Sequence, residues 1–267
     1  MAIESQKDSD LLKKRLAELA RKAYERNMYV YTDFLGLAEQ SLLHEMEREL
    51  QYAGIQLQGM PELADDMDIT ERKIARFGGE EQIGYTEPFP IAALWIRPPQ
   101  KKFAQDLTHR DFLGSLMNLG VERNRLGDLF VQDKEAILFC QEGVADFLME
   151  ELTRVRHTDV LCSFAPEEIV STISLAKPEE RVLQVSSGRI DACISRLYNM
   201  SRNDSLELFK QGKVYVNGKL CESNSYLLKE KDAVTARGFG KFIFQGVTGQ
   251  SKKGKLCATV AVYGAKR

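Results

Sequence analysis

The chain has 267 residues, of which 43% are hydrophobic and 28% are charged, a composition typical of a folded protein with two or three domains. Disordered and fibrous proteins are therefore excluded. No uncharged stretch approaches the roughly 18 to 20 residues that a membrane-spanning helix requires, and the polar start does not resemble a signal peptide. We expect a cytoplasmic protein with no membrane partner.

Five cysteines are dispersed along the chain, at Cys140, Cys162, Cys193, Cys221 and Cys257. They form no CxxC pair, the spacing typical of zinc and redox sites, and only three histidines accompany them. We interpret them as small hydrophobic residues of a protein in a reducing compartment. No metal and no cofactor is expected.

The net charge of -2 hides a strong asymmetry between the two ends of the chain. Residues 181–267 contain 16 Lys and Arg against 6 Asp and Glu, a net charge of +10. The first 180 residues contain 21 basic and 33 acidic residues, a net charge of -12. A basic module on an acidic body favours a polyanionic partner, and the alternative is an unevenly charged, solvated surface.

Residues 1–80 are predicted to form a small helical unit. Apolar residues recur at the spacing of one buried helix face, at Leu12, Leu16, Leu19 and Ala23. A second helix follows with Leu43, Met46 and Leu50 on its apolar face, and Gly54 lies where a helix commonly ends. An acidic loop around residues 59–71 then interrupts the regular pattern.

Residues 87–165 are predicted to form a ferredoxin-like α+β domain, because strand and helix patterns alternate in the βαββαβ order. One helix begins after a Thr108 cap and stops at Gly120, and two strands join at Asp133 and Lys134. Such sheets bind RNA when exposed aromatic residues stack on bases, but no such pair is evident and Trp95 is assigned to the core. Residues 166–180, with two prolines, are predicted to be a linker.

Residues 181–267 are predicted to form a basic module with two helices and a small β unit. The first helix begins near Arg189, and the second begins at Ser201 with Asp204 in a capping box and ends at Gly212. The next strand ends at Asn217-Gly218, a strong two-residue hairpin signal. Cations along such a surface can neutralise phosphates. The candidate RNA-binding residues are Arg189, Arg196, Ser201, Arg202, Lys210, Lys213, Asn217, Lys219, Arg237 and Lys241.

The residues between Gly188 and Phe242 resemble the S-four (alpha-L) RNA-binding domain, named for a small-subunit ribosomal protein. The matching elements are Arg189-Ile190-Asp191, Ser201-Arg202, the run from Gly212 to Gly218, Lys231-Asp232-Ala233-Val234, and Arg237 to Lys241. The resemblance implies that Asp191 stabilises the helix pair and does not contact RNA.

The segments YTDFLGLAEQ and LTHRDFLGSLMNLGVERNRLGDLFV extend the resemblance to the YlmH family of bacterial S-four proteins, over nearly the whole chain. It implies a cytoplasmic protein that binds rRNA and tRNA, without DNA, and associates with large ribosomal subunits that stalled with peptidyl-tRNA. The sequence departs from the family at ADDMDIT, where a Gly-rich element is expected before Glu71, and at Gly218, where some members have an aromatic residue.

Two other functions are kept as alternatives. One is an RNA-modifying enzyme, since S-four modules accompany pseudouridine synthases, rRNA methyltransferases and tyrosyl-tRNA synthetases; the chain has no synthase Arg-Leu-Asp motif, Gly-rich methyl-donor loop, or HIGH or KMSKS element. His109-Arg110-Asp111 matches a kinase triplet but lacks the preceding Gly-rich loop and lysine, so it indicates a helix start. The other is a protein–protein adaptor tethered by RNA. We predict a protein that is not an enzyme.

Overall fold

The computed structural model describes residues 6–61, 70–175, 179–250 and 254–263. Two compact units divide the chain, Met1–Ala176 and Lys177–Arg267. Two predicted features, the acidic loop and the end of the linker, fall partly outside the described residues, as do residues 251–253. Within the described ranges, no helix is both long and apolar enough to cross a membrane. Helices and mainly antiparallel sheets in both units confirm the α+β class.

The first unit begins with helices packed on a three-stranded antiparallel sheet of order β1-β3-β2. Its elements are α1 (Gln6–Arg26), β1 (Val30–Leu35), α2 (Leu37–Glu45), α3 (Glu47–Leu50), β2 (Ile55–Gln58), β3 (Lys73–Phe77) and α4 (Glu80–Ile83). The predicted apolar face of α1 is confirmed, since Leu16 and Ala23 are buried in this core. Gly54 ends the second helical stretch with a φ of 62°.

The sequence analysis predicted only helices for residues 1–80, and the sheet is a correction. Its strands have four to six residues, and two of them bury polar side chains that a hydrophobic pattern does not reveal. Thr32 in β1 is buried because its hydroxyl accepts a hydrogen bond from the Ala75 amide at 2.9 Å. The Arg76 guanidinium in β3 is buried between the rings of Tyr29 and Phe89, at 4.5 and 4.8 Å from their centroids.

A four-stranded antiparallel sheet of order β5-β6-β4-β9 follows, the strand order of the predicted ferredoxin-like domain. Its elements are β4 (Ile91–Arg97), α5 (His109–Asn118), β5 (Leu126–Gln132), β6 (Glu135–Gln141), α6 (Glu142–Glu151), the hairpin β7 (Arg154–Val155) and β8 (Thr158–Asp159), and β9 (Leu161–Phe164). The β5–β6 turn lies at Asp133 and Lys134, as predicted, with φ of 49° and 68°. The second helix of the βαββαβ order, α6, ends at Glu151, and the β7–β8 hairpin follows it before β9.

One face of this sheet and helices α5 and α6 enclose the core, in which Leu94, Phe112 and Leu148 are fully buried. Thr108 caps α5 as predicted and forms a capping box with Asp111, and Gly120 follows the helix with a φ of 81°. Trp95, which the sequence analysis assigned to the core, is half-buried and extends from the opposite face, because strand residues alternate between faces.

Side chains of the three-stranded sheet attach it to the ferredoxin-like sheet within the first unit. Arg72 donates from Nε to the Leu126 carbonyl at 3.0 Å and from Nη2 to the Phe34 carbonyl at 2.8 Å. Asp33 accepts hydrogen bonds from Asn124 at 3.2 Å and from Gln141 at 3.1 Å. The two sheets are therefore joined by charged hydrogen bonds that span more than fifty residues of sequence.

The predicted linker at 166–180 contains a helix, α7 (Glu167–Leu175). The Pro166 carbonyl accepts hydrogen bonds from the amides of Ile169 at 3.0 Å and Val170 at 3.1 Å. A proline fits the first turn of a helix, where no amide donor is needed, and Glu167 in that turn complements the helix dipole. The prolines that suggested a linker therefore flank a helix.

The second unit is a six-stranded antiparallel sheet of order β10-β15-β14-β13-β11-β12 with two helices on one face. Its elements are β10 (Glu179–Val185), α8 (Ile190–Leu197), α9 (Arg202–Lys210), β11 (Val214–Val216), β12 (Lys219–Leu220), β13 (Ala233–Ala236), β14 (Gly240–Gln250) and β15 (Leu256–Tyr263). Ile190, Ile194 and Phe209 from the helices pack with Val234 and Phe242 from the sheet. The helix pair matches the prediction, and the sheet is larger than the predicted small β unit.

Candidate nucleic-acid interface

The two helices of the second unit are set by a tight turn and a reciprocal cap. Ser195 donates its hydroxyl hydrogen bond to the Met200 carbonyl at 2.8 Å, which closes the turn after α8. Ser201 Oγ then accepts from the Asp204 amide at 3.1 Å, and the Asp204 carboxylate accepts from the Ser201 hydroxyl at 2.7 Å. Ser201, one of the ten candidate residues, thus uses its side chain to begin α9.

Arg189 and Asp191 form a bidentate ion pair at the start of α8. Arg189 donates from Nε and Nη2 to the two carboxylate oxygens of Asp191 at 3.1 and 2.8 Å, and Asp191 is only 4% exposed. The Ser205 hydroxyl of α9 donates to the Asp191 carbonyl at 3.1 Å, so this residue also connects the helices. Arg189 is half-buried, and its guanidinium is held by an internal carboxylate.

Two arginines of the helix pair are exposed and have no ion-pair partner among the described residues. Arg196 lies in the last turn of α8, and Arg202 is the first residue of α9. A cation at a helix N-terminus is unfavourable for the helix, because it lies at the positive end of the dipole. Arg202 therefore adds to a positive potential that an anion would stabilise. Lys210, by contrast, pairs with Glu207 at 2.6 Å on the surface.

Three further cations lie in or directly beside neighbouring strands of the sheet: Lys213 before β11, Arg237 after β13 and Lys241 in β14. The Arg237 amide donates to the Lys213 carbonyl at 2.9 Å, which places these residues side by side. The Arg237 guanidinium lies 5.3 Å from the centroid of the Tyr215 ring, and that ring is buried. Tyr215 pairs with Thr235, and Thr235 pairs with Lys241, so this row crosses the sheet face opposite the helices. Lys213, Arg237 and Lys241 are therefore grouped.

An aromatic contact joins this group to the helix pair. The ring of Tyr198, at the end of α8, lies 5.6 Å from the ring of Phe239, in the turn between β13 and β14. Arg196 is in the last turn of the same helix, and Arg237 begins the same turn. This contact connects the end of α8 to the turn between β13 and β14.

The side chain of the hairpin residue Asn217 is hydrogen-bonded within the fold. Asn217 and Gly218 adopt the predicted turn with φ of 52° and 79°. The Asn217 side chain donates to Asp232 at 2.9 Å and accepts from the Ala233 amide at 2.8 Å. Its amide is therefore engaged within the fold, whereas the next candidate, Lys219, is exposed on the edge strand β12.

The sequence did not predict the buried carboxylate of Asp232, the position of Tyr215 under Arg237 or the contact of Tyr198 with Phe239. Asp232 accepts from the Tyr226 hydroxyl at 3.1 Å and the Lys229 amide at 2.8 Å, and burial together with this carboxylate raises the pKa of Tyr226. Strand alternation between Val214 and Val216 places Tyr215 off the core, a signal that was available. The contact of Tyr198 depends on tertiary structure.

The described cysteines and carboxylates form no group of three or more potential metal ligands. All five thiols are free, and burial raises the pKa of Cys140 and Cys193 to about 12 and that of Cys162 to about 11. Cys140, Cys162 and Cys193 therefore stay protonated near neutral pH. The partial or full burial of all five cysteines agrees with the interpretation as small hydrophobic residues.

Comparison with known proteins identifies the family. Residues 85–168 match the family model of a putative RNA-binding domain in YlmH, and residues 188–234 match the S4 domain. Over 245 residues the chain is 30% identical to the ribosome-associated protein quality control protein P2 of Bacillus subtilis (strain 168), covering 91% of this chain and 90% of that protein. The chain belongs to the YlmH family.

A solved structure of the cell division protein ylmH from Streptococcus pneumoniae is 19% identical, with a TM-score of 0.47, and the match covers 61% of this chain and 93% of that chain. In the present chain, the match to the putative RNA-binding domain spans the ferredoxin-like sheet. The S4 match spans the α8–α9 helix pair and the hairpin at Asn217-Gly218. The resemblance to the YlmH and S-four families is confirmed.

Proposed function

We propose that this protein is a non-catalytic RNA-binding factor that contacts rRNA and tRNA on the large ribosomal subunit and acts in the rescue or quality control of stalled ribosomes. The observation that carries the proposal is the pair of exposed arginines, Arg196 and Arg202, on the helix pair of a module with a net charge of +10. Neither arginine forms an ion pair among the described residues, so an external anion such as an RNA phosphate would give each one a partner.

Geometry supports structured RNA as the ligand. Arg196, Arg202 and the group of Lys213, Arg237 and Lys241 are supplied by helices and strands, whose positions are fixed by the core. Fixed cations bind a ligand whose phosphates are also fixed with little loss of conformational entropy. The ribosomal assignment is supported by the name of the Bacillus subtilis relative, which calls that protein ribosome-associated.

RNA affinity as a function of salt tests the binding surface. If about five phosphates are neutralised, log affinity for rRNA or tRNA should fall against log salt with a slope of about -3 to -4. Arg196→Ala and Arg202→Ala should each flatten the slope by about one unit. Lys22→Ala, which removes an exposed charge from α1, is the matched control and should leave the slope unchanged. Absence of measurable affinity for both RNAs would contradict the proposal.

Sucrose-gradient sedimentation of a cell lysate tests the ribosomal partner. The protein should comigrate with free large subunits at low salt and leave them when the salt is raised. The double variant of Arg196 and Arg202 should stay at the top of the gradient, whereas the Lys22 variant should migrate as the unchanged protein does. Migration at the top of the gradient under all conditions would reject large-subunit association. A separate incubation of RNA with the purified protein tests catalysis: transfer of a labelled methyl group to the RNA, or conversion of its uridines, would reject the non-catalytic role.

A further inference from the structure

The ferredoxin-like sheet has a second face that the helices do not cover. Near one end, Phe34 of β1 packs against this face at Gly127 and Phe139. Farther along, a row of paired residues crosses the four strands: Phe130, Ile137, Trp95 and Ser163. Phe130 and Trp95 are both half-buried, whereas Ile137 between them is buried.

The indole of Trp95 is held in place by polar contacts on both sides. Its Nε1 donates to Glu135 at 3.1 Å. The Arg97 guanidinium lies over the ring at 4.1 Å from the centroid, and Arg97 Nη1 donates to the Ser163 hydroxyl at 2.9 Å. A planar guanidinium on a fixed indole forms a flat surface of the kind on which an unpaired base stacks.

Cations lie beside this aromatic row. Lys101 pairs with Glu135, the acceptor of the Trp95 indole, at 3.0 Å and is itself exposed. Lys101, Lys102 and Lys134, together with Asp106 and Asp133, line a groove of about 570 Å³ between the 101–107 segment and the β5–β6 turn. Lys134 donates to the Ala104 carbonyl at 2.6 Å and pairs with Asp106 at 3.8 Å, so Lys101 and Lys102 are the groove cations at the exposed surface. Base-stacking rings next to such cations are the combination that single-stranded nucleic acid requires.

We propose that this sheet face binds a short unpaired RNA segment, with bases stacked on Phe130 and on the Trp95–Arg97 pair and the backbone passing beside the exposed Lys101. The inference rests on the proposed function for the identity of the ligand as RNA. It assigns a second RNA contact, for unpaired bases, apart from the contact of the S4 domain with phosphates. Structured RNA would engage the S4 domain, and an exposed loop or end would engage this face.

Trp95 is the chain's one tryptophan, so its fluorescence reports on this face in the intact protein. Titration of the full chain with an oligouridylate of about eight nucleotides should quench the Trp95 emission saturably, because a base stacks on the Trp95–Arg97 pair. Duplex RNA of equal length should quench little. Arg97→Ala and Phe130→Leu should each weaken oligouridylate binding about fivefold or more. Phe147→Ala removes an exposed ring from α6, on the opposite side of the sheet, and should leave binding unchanged.

Two further measurements separate this inference from the proposed function. Urea unfolding followed by Trp95 emission confirms that each variant is folded before it is compared. Arg196→Ala with Arg202→Ala should weaken rRNA binding and leave oligouridylate quenching intact. Normal rRNA affinity without quenching would overturn the sheet-face site and leave the proposed function standing. Quenching that persists unchanged in both Arg97→Ala and Phe130→Leu would also overturn it.

Discussion

The ring of Phe34 lies directly on the backbone of Gly127, so close that a Cβ atom at Gly127 would be 2.8 Å from the ring Cε1 and 3.1 Å from Cβ of Phe139. Real side-chain atoms do not approach this closely. The absence of a side chain at Gly127 therefore lets the three-stranded sheet dock against the ferredoxin-like sheet within the first unit.

Gly127→Ala should destabilise the first unit by about 1 to 3 kcal/mol, because Phe34 and Phe139 have to move from a packed arrangement. Trp95 emission in a urea titration measures the change. The control is Gly114→Ala, in the interior of α5, where an added methyl group meets no atom within 4 Å. That substitution should stabilise the helix by about 0.5 to 1 kcal/mol. Equal midpoints for the two variants would contradict the close contact.

Because Asp191 is buried in an ion pair with Arg189, we expect Asp191 to affect the stability of the helix pair and not the binding of phosphates. Asp191→Asn removes the charge that holds two guanidinium donors and should lower the stability of the helix pair by about 1.5 to 3 kcal/mol. Hydrogen exchange of the α8 and α9 amides measures this loss. Glu222→Gln, an exposed acid of the same unit, should change exchange little. A flattened salt slope for Asp191→Asn would instead indicate a role in RNA binding.

Local signals in the sequence predicted elements whose determinants lie within a few residues. The Ser201–Asp204 capping box, the Thr108 cap and the Asn217-Gly218 turn all form as expected. The three-stranded sheet was not predicted because its strands pair over long distances, for example Val30 with Phe77. No local pattern specifies which distant strand completes such a ladder.

Candidate site residues could be listed from the sequence, but their availability could not. Asn217 is bonded to Asp232, and Lys210 is paired with Glu207, whereas Arg196 and Arg202 have no such partner among the described residues. The contact between Tyr198 and Phe239 depends on how the helix pair packs on the sheet. The assignment of Trp95 to the core failed for the same reason, since the alternation of β4 does not tell which face is covered.

The α5 capping box makes the first unit sensitive to acid. The Thr108 amide and hydroxyl donate to the Asp111 carboxylate at 2.9 and 2.7 Å, and these bonds lower the pKa of Asp111. A lowered folded-state pKa means that the ionised carboxylate stabilises the fold above the ordinary pKa and that this contribution is lost as pH falls through the folded pKa. Asp111→Asn should therefore melt at lower temperature near pH 7.

Melting curves at stepwise lower pH check the sign of this linkage. The difference in melting temperature between Asp111→Asn and the unchanged protein should shrink as the pH falls. It should vanish once the Asp111 carboxyl group is protonated in both the folded and the unfolded protein. The neighbouring Asp106, which is 97% exposed, provides the control, and Asp106→Asn should melt at nearly the same temperature as the unchanged protein near pH 7. A difference that stays constant down to strong acid would show that the charge of Asp111 does not contribute.

Arg237 combines a stacking contact with a charge, and two substitutions separate these contributions. Arg237→Ala removes both the charge and the cover of Tyr215, and it should flatten the salt slope of RNA binding by about one unit. Arg237→Lys keeps the charge and loses the planar stack, so the slope should stay unchanged while the unit loses about 0.5 to 1 kcal/mol of stability. Salt titrations of rRNA affinity and hydrogen exchange of β11 measure the two effects. If Arg237→Ala lowers protection in β11 and leaves the slope as it was, Arg237 serves only to cover Tyr215, and the phosphate contact belongs to its neighbours Lys213 and Lys241.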